Sequence, residues 1–154
     1  MTSIGFRCWD GSVAFVVLNG TIEAPVIVEF ARLRAPRGAS RGAALQWLRR
    51  EVHEILTRHA CGGGYFKCTE PVSRNKDLDR AQFEGVLQEA GLSHASCLEI
   101  HSRTLTQIRR DTGTTELARY LGQVHVARFP ALDTANFRDA ALAAHCGLPK
   151  NAHA

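Results

Sequence analysis

Ser3-Ile4-Gly5-Phe6-Arg7-Cys8-Trp9-Asp10-Gly11-Ser12-Val13-Ala14-Phe15-Val16-Val17-Leu18-Asn19-Gly20-Thr21 decides the architecture. Two runs of strand formers, Ser3 to Cys8 and Val13 to Leu18, are parted by Trp9-Asp10-Gly11-Ser12, and Asp-Gly is a strong hairpin turn pair. Asn19-Gly20-Thr21 repeats that turn chemistry before a third run, Pro25 to Leu33. The reading is a meander of three antiparallel strands. In the third, Val26, Val28 and Phe30 alternate with Ile27, Glu29 and Ala31. The second is almost continuously apolar, as expected of a strand covered on both faces.

Ala35 to Ser40 reads as a loop, and from Arg41 to about His59 the apolar residues Leu45, Leu48, Val52, Ile55 and Leu56 recur at helical spacing. Cys61-Gly62-Gly63-Gly64 reads as a turn, and Tyr65 to Thr69 as a fourth strand with Glu70 at its exit. Asp77 to Ala90 is a second helix stopped by Gly91, and Cys97 to Ile100 a fifth strand. Ser102 or Thr104 then caps a short helix through Ile108, and Thr114 or Thr115 another that carries Leu117, Leu121 and Val124. Arg128 to Thr134 is a loop before a final alanine-rich helix, Ala135 to Cys146, closed by Gly147 and Pro149. This order predicts an α/β domain: a five-stranded mixed sheet, three antiparallel strands then two parallel, with helices on both faces.

The 154 residues suit a single domain over 1–154, and 45% hydrophobic content is ordinary for one core. A net charge of +4, with sixteen Arg against three Lys, permits an anionic partner without demanding one. The five cysteines are odd in number and lack any zinc-like spacing, which points to reduced thiols and a cytoplasmic location. The start carries no signal-peptide pattern, and no apolar run approaches the ~18 residues of a membrane span, so no membrane partner is expected. The seven histidines show no His-Glu-x-x-His pattern and no pairing with cysteine at ligand spacing, which argues against a zinc enzyme.

Three places attract attention together: Gly5-Phe6-Arg7 on the first strand, Cys68-Thr69-Glu70 at the exit of the fourth, and Asn136-Phe137-Arg138-Asp139 on the last helix. Their order and spacing resemble the RuvC-type branch of the RNase H-like superfamily, from Ile4 to about Leu148. Members of that branch carry Gly-x-Asp on the first strand, an acid after the fourth and Asp-x-x-Asp on a late helix. The resemblance implies an RNase H-like fold and a site at Arg7, Glu70, Asn136 and Asp139. For an active enzyme it implies Mg²⁺ or Mn²⁺, DNA or RNA as substrate, and a homodimer.

Two divalent ions about 3.5–4 Å apart require clustered carboxylates. Here two of the four acidic positions are retained, Glu70 and Asp139, while Arg7 puts a cation where the resemblance calls for the metal-bridging acid and Asn136 offers a neutral oxygen. The expectation is a decayed metal site in which Arg7 pairs with Glu70 or Asp139, on a protein that binds nucleic acid or a protein partner. Two other readings stay open. One is an active nuclease whose metal ligands are Glu70, Asp139 and either Asp10 or Glu99, with Asn136. The other is an interaction protein that binds no nucleic acid, using a sheet edge or the Trp47 helix.

Arg74, Lys76 and Arg80 follow Glu70 and are the candidate phosphate contacts, since loops at the carboxyl ends of strands often carry ligands. Arg32, Arg34, Arg37 and Arg41 read as a solvated basic stretch without aromatic interleaving, and Arg103, Arg109 and Arg110 as helical surface charge. Asp10 reads first as a turn residue and Glu99 as a solvated strand end.

Overall fold

The structure, a computed structural model, describes residues 1–68, 77–113 and 134–151. Glu70, Arg74 and Lys76, the helix expected after Thr114 and most of the loop from Arg128 lie outside the described residues.

The first three strands are β1 (Thr2–Trp9), β2 (Ser12–Gly20) and β3 (Pro25–Arg34), followed by helix α1 (Arg41–Arg58) and strand β4 (Gly63–Lys67). Helix α2 (Leu78–Ser93), strand β5 (Ile100–Arg103), helix α3 (Leu105–Thr112) and helix α4 (Ala135–His145) complete the described elements. The sheet order is β3-β2-β1-β4-β5, with β1–β2 and β2–β3 antiparallel and β1–β4 and β4–β5 parallel. The expected mixed sheet is therefore observed.

Strand alternation sends Ile4, Phe6 and Cys8 of β1, with Val13, Phe15 and Val17 of β2, to a core shared with Leu48, Val52, Phe83 and Leu87 of α1 and α2. Ala14, Val16 and Leu18 point the other way, against Ala140, Ala141 and Ala144 of α4 and Ile108 of α3. Each fully buried large side chain contributes roughly 1.5–3 kcal/mol, which explains why β2, an interior strand covered on both faces, has little room for polar residues. β3 forms an edge of the sheet; Val26, Val28 and Phe30 are its exposed hydrophobic members, beside Arg32 and Arg34, and the pairing with β2 slips between Val17 and Leu18.

Helix starts follow their caps. Ser40 caps α1 and Asp77 caps α2, each accepting backbone N–H groups of the first turn. Between the two candidates for α3, Thr104 is the cap: it accepts from Gln107 N, while the Gln107 side chain accepts from Thr104 N at 2.9 Å. Thr104→Ala is expected to lower unfolding free energy by about 1 kcal/mol, measured by urea titration, and an unchanged midpoint would show that the reciprocal Thr104–Gln107 cap is dispensable.

Four sequence expectations shift. Gly91 does not stop α2, which continues to Ser93; a Cβ at Gly91 would overlap the Leu98 carbonyl and stand 2.7 Å from Ile100 Cγ1, so this glycine permits close helix–strand packing. The fifth strand begins at Ile100, because Cys97 takes a left-handed φ of 48° and turns the chain before it. Gly63 and Gly64 are strand residues paired with Ser3 and Ile4, with only Gly62 left outside β4. Consequently β4 ends at Lys67, and Cys68 lies just beyond it.

Candidate functional site

Gly5 sets the geometry of the site. A Cβ there would overlap the Ala140 carbonyl and the Ala144 nitrogen and stand 2.9 Å from Ala144 Cα, so α4 rests its backbone directly on β1. Arg7 follows Gly5 on the same strand face, and Asp139 precedes Ala140 on the helix. The close approach thus brings Arg7 Nε within 3.3 Å of Asp139 Oδ2. Nε is buried and makes no hydrogen bond, so the contact is a coulombic pair without a directed N–H bond. Arg7 Nη1 instead donates to the carbonyls of Lys67 at 3.1 Å and Cys68 at 3.4 Å.

More cations converge on the end of β4. Lys67, buried at 5% exposure, donates from Nζ to Cys68 O at 3.0 Å. Arg80, from the first turn of α2, donates to Lys67 O at 3.1 Å and pairs with Glu84 at 2.7 Å. Burial lowers the Arg7 guanidinium from its ordinary range, helped by repulsion from Arg80 and opposed by Asp139, Glu84 and Cys8. Burial likewise raises the Asp139 carboxyl, against the attraction of Arg7, Lys67, Arg80 and Arg138. For both partners desolvation outweighs their mutual attraction.

The sequence candidates are distributed as follows. Arg7 and Asp139 meet, and Asn136 lies half-buried one turn earlier on α4. Arg80 joins them from α2 but turns inward, only 11% of its side chain exposed. Glu70, Arg74 and Lys76 lie outside the described residues. Asp10 and Gly11 have φ of 44° and 68° in the β1–β2 turn, so the hairpin accounts for Asp10. Glu99 is 70% exposed, ahead of β5 and not at its end. Neither is among the charges acting on Arg7 or Asp139.

Among the described residues no three His, Cys, Asp or Glu side chains come close enough to hold a metal. The described part of the site does not fit a divalent ion: Asp139 already faces a guanidinium, with Lys67 and Arg80 adding positive charge around it. All five cysteines are free; burial pushes Cys61 up to about 11 and Cys146 up to about 12, which makes both poor nucleophiles. Among the described residues no helix is long and apolar enough to cross a membrane.

Lys67, Glu84 and Arg138 were not singled out by the sequence. Strand parity could have found Lys67, since it shares a face with Tyr65 and lies opposite Arg7, but only once the β1–β4 register is known.

No protein-family model and no curated protein matches the chain. Solved structures do. Thermus thermophilus RuvC in complex with Holliday junction substrate superposes with a TM-score of 0.74 at 12% identity, covering 95% of this chain and 91% of that one. The fowlpox virus Holliday junction resolvase gives a TM-score of 0.50 at 9% identity, covering 96% and 94%. The chain has the RuvC-like, RNase H-like fold.

Proposed function

We propose that this protein binds nucleic acid through its RuvC-like fold and does not cleave it by a metal-dependent route. The observation that carries this reading is the Arg7–Asp139 pair at 3.3 Å, which fills with an internal cation the place where the resemblance calls for a metal-bridging carboxylate. A guanidinium neutralises a carboxylate or a phosphate, but it cannot ionise a water molecule as a bound divalent ion does. Similarity to a RuvC solved on a Holliday junction supports DNA as the ligand class. Association as a homodimer, and a cytoplasmic location in keeping with five free thiols, belong to the same proposal.

The test uses the intact chain with labelled four-way junction, duplex and single-stranded DNA and an RNA–DNA hybrid. Binding is expected at low salt, equal in EDTA and in Mg²⁺ or Mn²⁺, with no cleavage in either metal. Metal-dependent cleavage would overturn the proposal in favour of a nuclease that uses Glu70, Asp139 and either Asp10 or Glu99, with Asn136 as a neutral ligand. Failure to bind any of the four nucleic acids would leave a protein-interaction role.

A further inference from the structure

The basic stretch that begins at Arg32 has no aromatic residue interleaved with it along the chain, and the fold brings aromatic rings to it. On β3, Phe30 pairs with Val16, Arg32 with Ala14 and Arg34 with Ser12. Val16 and Ala14 face α4, so these three alternate residues stand on the α4 side of the edge strand. All three are exposed, Phe30 at 38%. Trp9, the last residue of β1, packs on the same side, and its ring centroid lies 4.8 Å from the Arg32 guanidinium. Phe137, in the first turn of α4, meets Phe30 edge to face with the ring centroids 5.5 Å apart. The two contacts hold Arg32 and Phe30 in place side by side.

The charge at this corner is one-sided. Arg32 donates to the Ser12 hydroxyl at 3.0 Å and 3.3 Å, and among the described residues neither Arg32, Arg34 nor Arg37 has an acidic partner. Arg41, further along, is neutralised by Asp79. The hairpin carboxylate of Asp10 belongs to the same corner, since Ala35 N–H donates to the Gly11 carbonyl at 3.4 Å, but it forms no ion pair with the three arginines. Three positive charges against one negative leave the exposed edge cationic.

We propose that the outer stripe of β3 binds an unpaired strand of nucleic acid, with a base stacked on Phe30 and phosphates against Arg32 and Arg34. An exposed ring beside fixed guanidinium groups suits a base and its phosphate together, and such stacking tolerates any base. A duplex keeps the faces of its bases stacked on one another, so Phe30 favours a strand whose bases are free. An acidic peptide would match the arginines but offers the ring no base to stack. Four residues from Phe30 to Arg34 span roughly 13 Å, about four steps of a stacked strand at about 3.4 Å each. The proposal rests on the nucleic-acid reading above and names the surface and the kind of strand.

The experiment measures dissociation constants of the intact chain by fluorescence anisotropy in EDTA across a salt series, on a labelled single-stranded DNA and on its duplex. Phe30→Leu keeps an apolar side chain against Phe137 but removes the stacking ring. It is expected to weaken single-strand binding about tenfold, with the salt slope and duplex binding unchanged. Phe30→Trp is expected to keep the wild-type affinity. Arg34→Ala is expected to weaken single-strand binding several-fold and to reduce the log–log salt slope by about 0.7, and Arg34→Lys to keep the slope. Arg50→Ala on α1, across the sheet, is expected to change nothing, and poly-glutamate at equal charge to leave the strand bound. Single-strand binding unchanged in Phe30→Leu and Arg34→Ala, or duplex binding weakened equally by Phe30→Leu, would overturn the stripe but leave the nucleic-acid reading standing. Displacement by poly-glutamate would overturn it in favour of an acidic protein segment. Absence of wild-type binding to either DNA, or to the junction and the hybrid, would overturn both.

Discussion

Gly5→Ala is expected to lower the thermal unfolding midpoint by roughly 6–12 °C, corresponding to a loss of about 3 kcal/mol for a domain of this size. Alanine ordinarily suits a strand better than glycine does. Here the added methyl group would occupy the space of the Ala140 carbonyl and the Ala144 nitrogen, and helix backbone cannot swing aside as a flexible side chain can. Relief requires α4 to lift from β1, which uncovers Ala14, Val16 and Leu18. The same substitution at Gly85, within α2 and with nothing inside 4 Å of its Cβ, is expected to raise stability by up to about 1 kcal/mol. Circular dichroism melts of the two variants should therefore move in opposite directions. A Gly5→Ala midpoint equal to wild type would show that α4 does not rest on the strand as described.

The meander and α1 were legible because two-residue turns and apolar periods are local signals. Asp10-Gly11 and the Leu48–Val52–Ile55 spacing needed no knowledge of the rest of the chain. Where the reading slipped, a glycine served packing instead of punctuation. Gly91 resembles a helix stop until Leu98 and Ile100 are found against it, and Gly63 and Gly64 resemble a turn until β1 lies beside them. The site divides in the same way. Arg7 and Asp139 could be singled out from their positions on the first strand and last helix. The placing of Lys67 beside Arg103, and of Arg32 beside Ala14, could not, because register between distant strands is absent from any local window. Arg32 and Arg103, taken singly, look like surface charge. Trp9 lies 23 positions before Arg32 in the chain, yet the fold stacks the two.

Removing one member of the Arg7–Asp139 pair is expected to cost more than removing both. Arg7→Leu leaves the Asp139 carboxylate without its nearest cation, and the side chains are only 16% and 24% exposed. A fully buried pair broken this way loses about 3–5 kcal/mol, and the residual solvent here reduces the expected loss to about 2–3 kcal/mol. The double change, Arg7→Leu with Asp139→Leu, is expected to recover most of it, since desolvation already works against both charged forms. The pH dependence follows with a definite sign. Asp139 is raised in the fold above its ordinary 3.8, so its contribution is favourable below that value and is lost as pH rises through the folded one. Without Arg7 the carboxyl rises further, and the loss extends to higher pH. Urea unfolding of Arg7→Leu should therefore show a smaller deficit at about pH 5 than at about pH 7, while the double variant shows little change between them. A deficit independent of pH would mean that Arg7 acts through its aliphatic stem, and the coulombic account of the pair would fail. Recovery in the double variant would instead show that the ion pair specifies where α4 meets β1 and β4 without being the source of their stability.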